Sequence, residues 1–131
     1  MNITSPISLG ELVDKITILE IKKERIQDEN KLKNVIVELN ALRKVLSKCL
    51  SNKEYNNLLK LLEELKQINL KLWVIEDEIR DWERKKEFGS EFIQLARSVY
   101  FTNDERANIK KNINILFEST LVEEKSYNDY K

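Results

Sequence analysis

The sequence has no histidine, one cysteine, one proline and two glycines in 131 residues. Each shortage closes off some chemistry. Without an imidazole that titrates near neutral pH, neither a Ser-His-Asp nor a Cys-His catalytic arrangement can be built. Zinc sites that use histidine, and di-iron bundles of the Glu-x-x-His kind, fall for the same reason. A single cysteine supplies neither a four-cysteine zinc site nor an internal disulfide, which suits a reducing compartment. Cys49 lies at an apolar helical spacing and reads as a small core residue. No apolar run nears the roughly 20 residues that cross a bilayer. The opening Met-Asn-Ile-Thr-Ser-Pro-Ile-Ser has neither the basic nor the apolar segment of a secretory signal. The expected location is therefore the cytoplasm, with no membrane partner.

An excess of one charge is also missing. The chain carries 23 Lys+Arg against 23 Asp+Glu. Residues 1–50 hold 9 basic and 7 acidic groups, residues 51–88 hold 8 and 9, and residues 89–131 hold 6 and 7. No segment offers the basic stripe that a phosphate backbone requires, so nucleic acid is not an expected partner.

What remains is rich in charge and in helix formers. Charged residues are 35% of the chain, against roughly 25% in an average domain. Together with many Leu, Ile, Glu, Lys and Asn, this predicts long solvated helices. Ser8 and Glu11 have capping-box spacing, with Ile7 and Leu12 placed as a hydrophobic staple. Leu9, Leu12, Ile16 and Leu19 follow at three- and four-residue steps, then Ile26 two turns on. Leu32, Val35, Leu39, Leu42, Leu46 and Cys49 continue the pattern, with the register broken near Asp28-Glu29-Asn30. The first helical region is either one long bent helix or two with a short interruption.

Ser51 and Glu54 form a second capping box. Behind it Leu58, Leu61, Leu65, Ile68, Leu72, Ile75, Ile79 and Trp82 alternate steps of three and four, a heptad seam. Gly89, as a left-handed stop, and Ser90, as a cap, divide this helix from the next. A short helix with Phe92, Leu95, Ala96 and Val99 inward would end before a third capping box, Thr102 and Glu105. A last helix would bury Ile109, Ile113, Leu116 and Phe117. The expected architecture is one all-α domain over residues 1–131. A long antiparallel helical hairpin carries two shorter C-terminal helices packed on it. Such a hairpin has much surface for its volume, so self-association, as a homodimer, is expected, and a protein partner is compatible with it.

Three groups of residues can carry chemistry. Asn69, Trp73, Glu76 and Arg80 share one helix face, and Thr17, Glu20 and Glu24 form a similar band on the first helix. If the helices pair antiparallel, the bands meet. Glu20, Glu24, Glu76 and Asp77 are then candidate ligands for Mg²⁺, which prefers hard oxygen donors and would hold a phosphorylated substrate. The alternative is a solvated flank with i,i+4 pairs such as Glu76–Arg80, the usual condition of charged helix faces, and no cofactor. The second group is Arg97, Arg106 and Lys110, candidates for binding a phosphate or carboxylate. Alternatively Arg97 braces Asp104 or Glu105 between two helices. The third is aromatic: Trp73, Trp82, Tyr100, Phe101 and Tyr127, of which Trp82 belongs to the seam.

The blocks Ser5–Ile26 (SPISLGELVDKITILEIKKERI), Leu72–Glu83 (LWVIEDEIRDWE), Phe92–Asn114 (FIQLARSVYFTNDERANIKKNIN) and Leu121–Tyr127 (LVEEKSY) resemble a family of small bacterial and marine-phage proteins known only as a domain of unknown function. The resemblance runs from Ser5 to Tyr127 and implies one compact domain of bacterial type, with no assigned reaction. Two enzyme families share fragments. The all-α nucleoside-triphosphate pyrophosphohydrolases hold Mg²⁺ with Glu-x-x-Glu followed by Glu-x-x-Asp. Glu78-x-x-Asp81 and Glu11-x-x-Asp14 match the second half, but no Glu-x-x-Glu precedes Glu78 at a suitable distance. The helical chorismate mutases open with Leu-x-x-Leu-Arg, whereas Leu9-x-x-Leu12 is followed here by Val13.

The reading that leads is a non-enzymatic, self-associating helical interaction protein. A Mg²⁺-dependent enzyme acting on a nucleotide or other phosphorylated metabolite, and a small-anion binding module, are the alternatives.

Overall fold

The computed structural model describes residues 1–130, in which four helices and no strand occur: α1 (Leu9–Arg25), α2 (Glu29–Cys49), α3 (Asn52–Lys85) and α4 (Ser90–Leu116). The all-α class expected from the sequence holds, as does packing of the helices into a bundle.

Residues 26–28 break the first helical region rather than bend it. Ile26 takes an extended conformation, and the Asp28 carboxylate caps a new helix by accepting from the Lys31 amide at 2.9 Å. So short a connection sends α2 back along α1. The two are tied across their polar edge by Arg43 and Glu20 at 3.2 Å. The long hairpin arm expected over residues 9–49 is thus itself a hairpin.

α3 begins at a complete capping box: the Ser51 hydroxyl accepts from Glu54 N at 3.2 Å, and Ser51 N donates to the Glu54 carboxylate at 3.0 Å. Its 34 residues extend about 50 Å at 1.5 Å per residue. Every seam position from Leu58 to Trp82 is buried or half-buried. The seam faces α1 and α4, however, and does not approach the α2 backbone.

α3 ends in a Schellman motif. Lys86 takes the left-handed conformation (φ 57°) with its N–H on Glu83 O, and Glu87 N–H reaches Trp82 O at 3.1 Å. Gly89, expected in that role, has φ −77° and stands before α4 without a side-chain cap. The helix simply stops three residues earlier.

The two short C-terminal helices are one. α4 runs unbroken through Thr102, whose side chain is buried instead of capping a new start. A cap needs a non-helical backbone, whereas a continuous helix preserves the packing of α4 against α3. Other local expectations also yield to packing. Cys49 is exposed at the end of α2, and Leu116 is about half exposed.

α1 sits at the centre, packing against all three other helices. Leu12, Val13, Ile16 and Leu19 join Val35, Leu39 and Leu46 of α2, Leu58 and Leu65 of α3 and Ile113 of α4 in one apolar core. α2 packs closely on α1 alone and buries only Val35, Leu39 and Leu46. Past α4, Glu118 takes a left-handed φ of 52° and turns the chain back. Residues 120–130 then lie without regular structure along α4.

Candidate functional site

α1 meets two neighbours at once, and its second face is therefore buried too. Gly10, Asp14, Thr17 and Ile21 recur at steps of four, three and four, and all are buried. Gly10 allows the closest approach. A Cβ there would stand 2.5 Å from the Lys110 carbonyl oxygen and 2.9 Å from Asn114 Oδ1. The Gly10 N–H, one of the unpaired donors of the first turn, donates instead to Asn114 Oδ1 at 2.7 Å.

One turn on, the Asp14 side chain is 1% exposed and carries a charge. Burial of a lone carboxylate is costly, so its surroundings must supply donors. Two neighbouring helices do so. Asn69 Nδ2 of α3 donates to Asp14 Oδ1 at 2.8 Å and to Thr17 Oγ1 at 2.9 Å. Arg106 of α4 grips both oxygens, Nε donating to Oδ1 at 3.0 Å and Nη2 to Oδ2. This is the two-pronged fit that a planar guanidinium makes with a carboxylate. The Thr17 hydroxyl donates back to the Asp14 carbonyl at 2.8 Å. Among the described residues, no fully buried side-chain nitrogen or oxygen lacks a partner.

Lys110 lies one turn beyond Arg106, its side chain only 9% exposed. Its Nζ is 2.8 Å from Glu11, 2.6 Å from Glu123 and 3.9 Å from Asp14. Glu11 therefore does not close the capping box expected with Ser8. The Ser8 hydroxyl still accepts from Glu11 N at 3.1 Å, but the Glu11 carboxylate has gone to Lys110. A charge-assisted bond to the buried Lys110 ammonium is stronger than a bond to the neutral Ser8 amide.

The electrostatics are those of settled ion pairs. The hydrogen bond to Asp14 outweighs burial and makes Arg106 still harder to deprotonate. Burial pulls the Lys110 ammonium down, yet its bonds to Glu11 and Glu123 and the charge of Asp14 together hold it above its ordinary value. The Lys110 contact draws the Glu123 carboxyl below the usual range. These shifts move each group away from neutrality, opposite to the tuning of a general acid or base.

Of the anion-binding candidates, the structure brings Arg106 and Lys110 together, around the chain's own Asp14. Arg97 stands apart and is exposed, its guanidinium 5.7 Å from the centre of the Phe101 ring. It braces neither Asp104 nor Glu105; Asp104 accepts from the Tyr130 hydroxyl.

The polar bands of α1 and α3 do meet, at Asn69 and Thr17. Lower down, Glu24 and Glu20 flank Lys66 Nζ at 2.9 and 3.4 Å. The hydrogen bond to Lys66 lowers the Glu24 carboxyl, and the one to Glu24 raises Lys66. Glu76 instead pairs with Arg80 at the surface, and Asp77 is exposed. The four metal candidates thus do not converge. Among the described residues, no cluster of three or more Asp, Glu or Cys side chains is arranged to hold a metal ion. None of these residues forms a helix long and apolar enough to cross a membrane.

Sequence reasoning missed Gly10, Asp14, Asn114 and Glu123. A signal for the first two existed: a glycine and an acid stand at core spacing on a helix whose other apolar stripe was already complete.

A family model matches residues 3–130; it is that of a family of unknown function (DUF6165). No curated protein and no solved structure matches the chain.

Proposed function

Starting from a chain that belongs to DUF6165, a family of unknown function, we propose a non-enzymatic helical interaction protein that self-associates through α2. The observation that carries this reading is the outer side of that helix. Val37, Ala41, Val45 and Cys49 stand exposed at successive four-residue steps, with Val37 71% and Val45 47% accessible. Rows at this spacing are the ridges with which helices interlock. α2 is backed by α1 alone, so a second copy can approach this ridge without disturbing the core. Isolated apolar residues on a surface are ordinary, but four in line make a strip that water covers poorly. A two-fold dimer uses the same ridge on both copies.

Support for a non-catalytic reading comes from the polar cluster, where Asp14, Arg106 and Lys110 bind one another. The carboxylates offered for Mg²⁺ are divided between Lys66 and the surface pair Glu76–Arg80.

Sedimentation equilibrium over the attainable concentration range tests the proposal. The expected result is a dimer for the native chain and a monomer of unchanged helicity for the double variant Val37→Lys, Val45→Lys. A native chain that stays monomeric throughout, or a double variant that dimerises as well as the native chain, overturns it.

A further inference from the structure

Residues 120–130 form a strap over α4 that is pinned near both ends. Glu123 holds Lys110 at 2.6 Å. Tyr130 packs against Tyr100 and Phe101, ring centres 5.2 and 5.0 Å away, and donates its hydroxyl to Asp104. Between the pins the strap does not lie flat on the helix. A cleft of about 700 Å³ opens there, lined by Tyr100, Asp104, Lys110 and Lys111 of α4 and by Lys125 and Tyr127 of the strap among others. That volume falls within the roughly 300–1,000 Å³ of small-molecule sites.

The partners of Lys110 are of two kinds. Glu11 and Asp14 stand on the packed helix α1, Asp14 buried and Glu11 36% exposed. They match Arg106 and Lys110 charge for charge. Glu123 is a third carboxylate beyond that balance, it is 42% exposed, and it arrives on a segment with no regular structure. Where the Glu123 end of the strap comes away, α4 presents Lys110 and Lys111, and the acidic groups Glu123 and Glu124 leave with that end. At this end the acidic Glu123 and Glu124 thus cover Lys110 and Lys111, with Asp104 of α4 and Lys125 of the strap also lining the cleft, and the Glu123 carboxylate stands where an outside oxyanion would bind.

We propose that this cleft is a binding site for a small molecule bearing a carboxylate or phosphate, whose oxyanion replaces Glu123 on Lys110 and frees the Glu123 end of the strap while the Tyr130 pin holds. The exchange puts one anion in place of another, so the Asp14–Arg106 pair beneath is undisturbed. Tyr100 and Tyr127 offer the rest of the ligand apolar surface with polar tips. This site lies on α4 and is independent of the α2 ridge.

The test uses the full chain, with inorganic phosphate and succinate as probes for the two oxyanion sources. Calorimetry is run on the native chain and on Glu123→Gln, which keeps the strap but removes the competing charge. A site masked by its own latch gains apparent affinity when the latch weakens, and a partly exposed pair of this kind predicts about a fivefold gain. At the same time, trypsin cleavage after Lys125 in the native chain should quicken when the probe is added. Binding of phosphate alone, or of succinate alone, supports the site and identifies the oxyanion it takes. Binding of neither probe by either protein, or equal binding by both proteins, overturns the proposal. Lys110→Met should abolish binding, and Glu123→Gln decides the matter if that variant does not fold.

Discussion

Two helices of nearly equal length, α1 with 17 residues and α2 with 21, live in opposite environments. α1 touches every other helix and buries eight residues, among them a glycine, an aspartate and a threonine. α2 touches α1 and buries three, all apolar. The two sequences look alike in the features that local rules read: both carry an apolar stripe, both begin at a side-chain cap, and both end in basic residues. What differs is the second face. On α1 it holds small and polar residues that become partners of α3 and α4. On α2 it holds a valine ridge that stands exposed among the described residues. A second face of small and polar residues is what a helix needs at the centre of a bundle, where backbones come close and buried charges must be matched. An apolar second face suits contact between chains.

The sharpest way to break this comparison is Asp14→Ala. It leaves Arg106, Asn69 and Lys110 facing an empty site, and loss of one partner from a buried pair costs about 3 kcal/mol or more. Urea unfolding should show the free energy of unfolding falling by that amount with the helical spectrum retained. A cost below about 1 kcal/mol would mean that the junction is no better integrated than an exposed pair.

Next comes Gly10→Ala. The added methyl would meet the Lys110 carbonyl oxygen, and α1 and α4 must separate to admit it. A loss of about 2 kcal/mol is expected, although alanine is the better helix former. A stabilised variant would show that the close approach is not needed.

Lys66→Ala removes the one cation between Glu20 and Glu24, on the flank rather than in the centre. Its side chain is 23% exposed, and about 1 kcal/mol is expected in chemical denaturation. The paired variant Val37→Lys, Val45→Lys sharpens the contrast from the other side. Measured on the dissociated chain, it should change stability by less than about 0.5 kcal/mol per site, as surface substitutions do.

The smallest effect is the release of the strap by pH, followed through backbone amide shifts of residues 121–130. Glu123 has a lowered pKa, so its latch is whole above the ordinary 4.5 and is lost as pH falls through the depressed value. The far pin behaves in the opposite sense. The hydrogen bond to Asp104 pushes the Tyr130 phenol up to about 12, so that pin is whole below 10.0 and is lost as pH rises toward 12. The bundle itself should keep its amide shifts while the Glu123 end loosens in acid. Simultaneous loss of both would make the strap part of the core.

Much of the fold was legible in residue order. Ser8 and Ser51 mark two helix starts because a cap acts within three residues, Asp28 showed only as a break in register, and the seam from Leu58 to Trp82 is legible because its period is that of the helix. The site was legible by halves. Arg106 and Lys110 stand out as two cations one turn apart, yet their use was hidden, since Asp14 lies 92 residues from Arg106. Thr102 and Glu11 show the same limit. Each fits a local cap, but Thr102 is buried inside a continuous helix and the Glu11 carboxylate pairs with Lys110.

Composition and periodicity alone determined that the chain is all-α, where most helices start, which stripes are apolar and which catalytic chemistries are closed to it. Those properties rest on interactions within one or two helical turns and on residue types that are present or missing. Only the tertiary structure decided that α1 is the central helix, that the first arm folds on itself at residues 26–28, and that Asp14 is the buried carboxylate around which three helices close. Those outcomes depend on groups as far apart as Gly10 and Asn114, separated by 104 residues. Their meeting is settled by the joint burial of several faces at once, a sum over the whole chain that no local window contains.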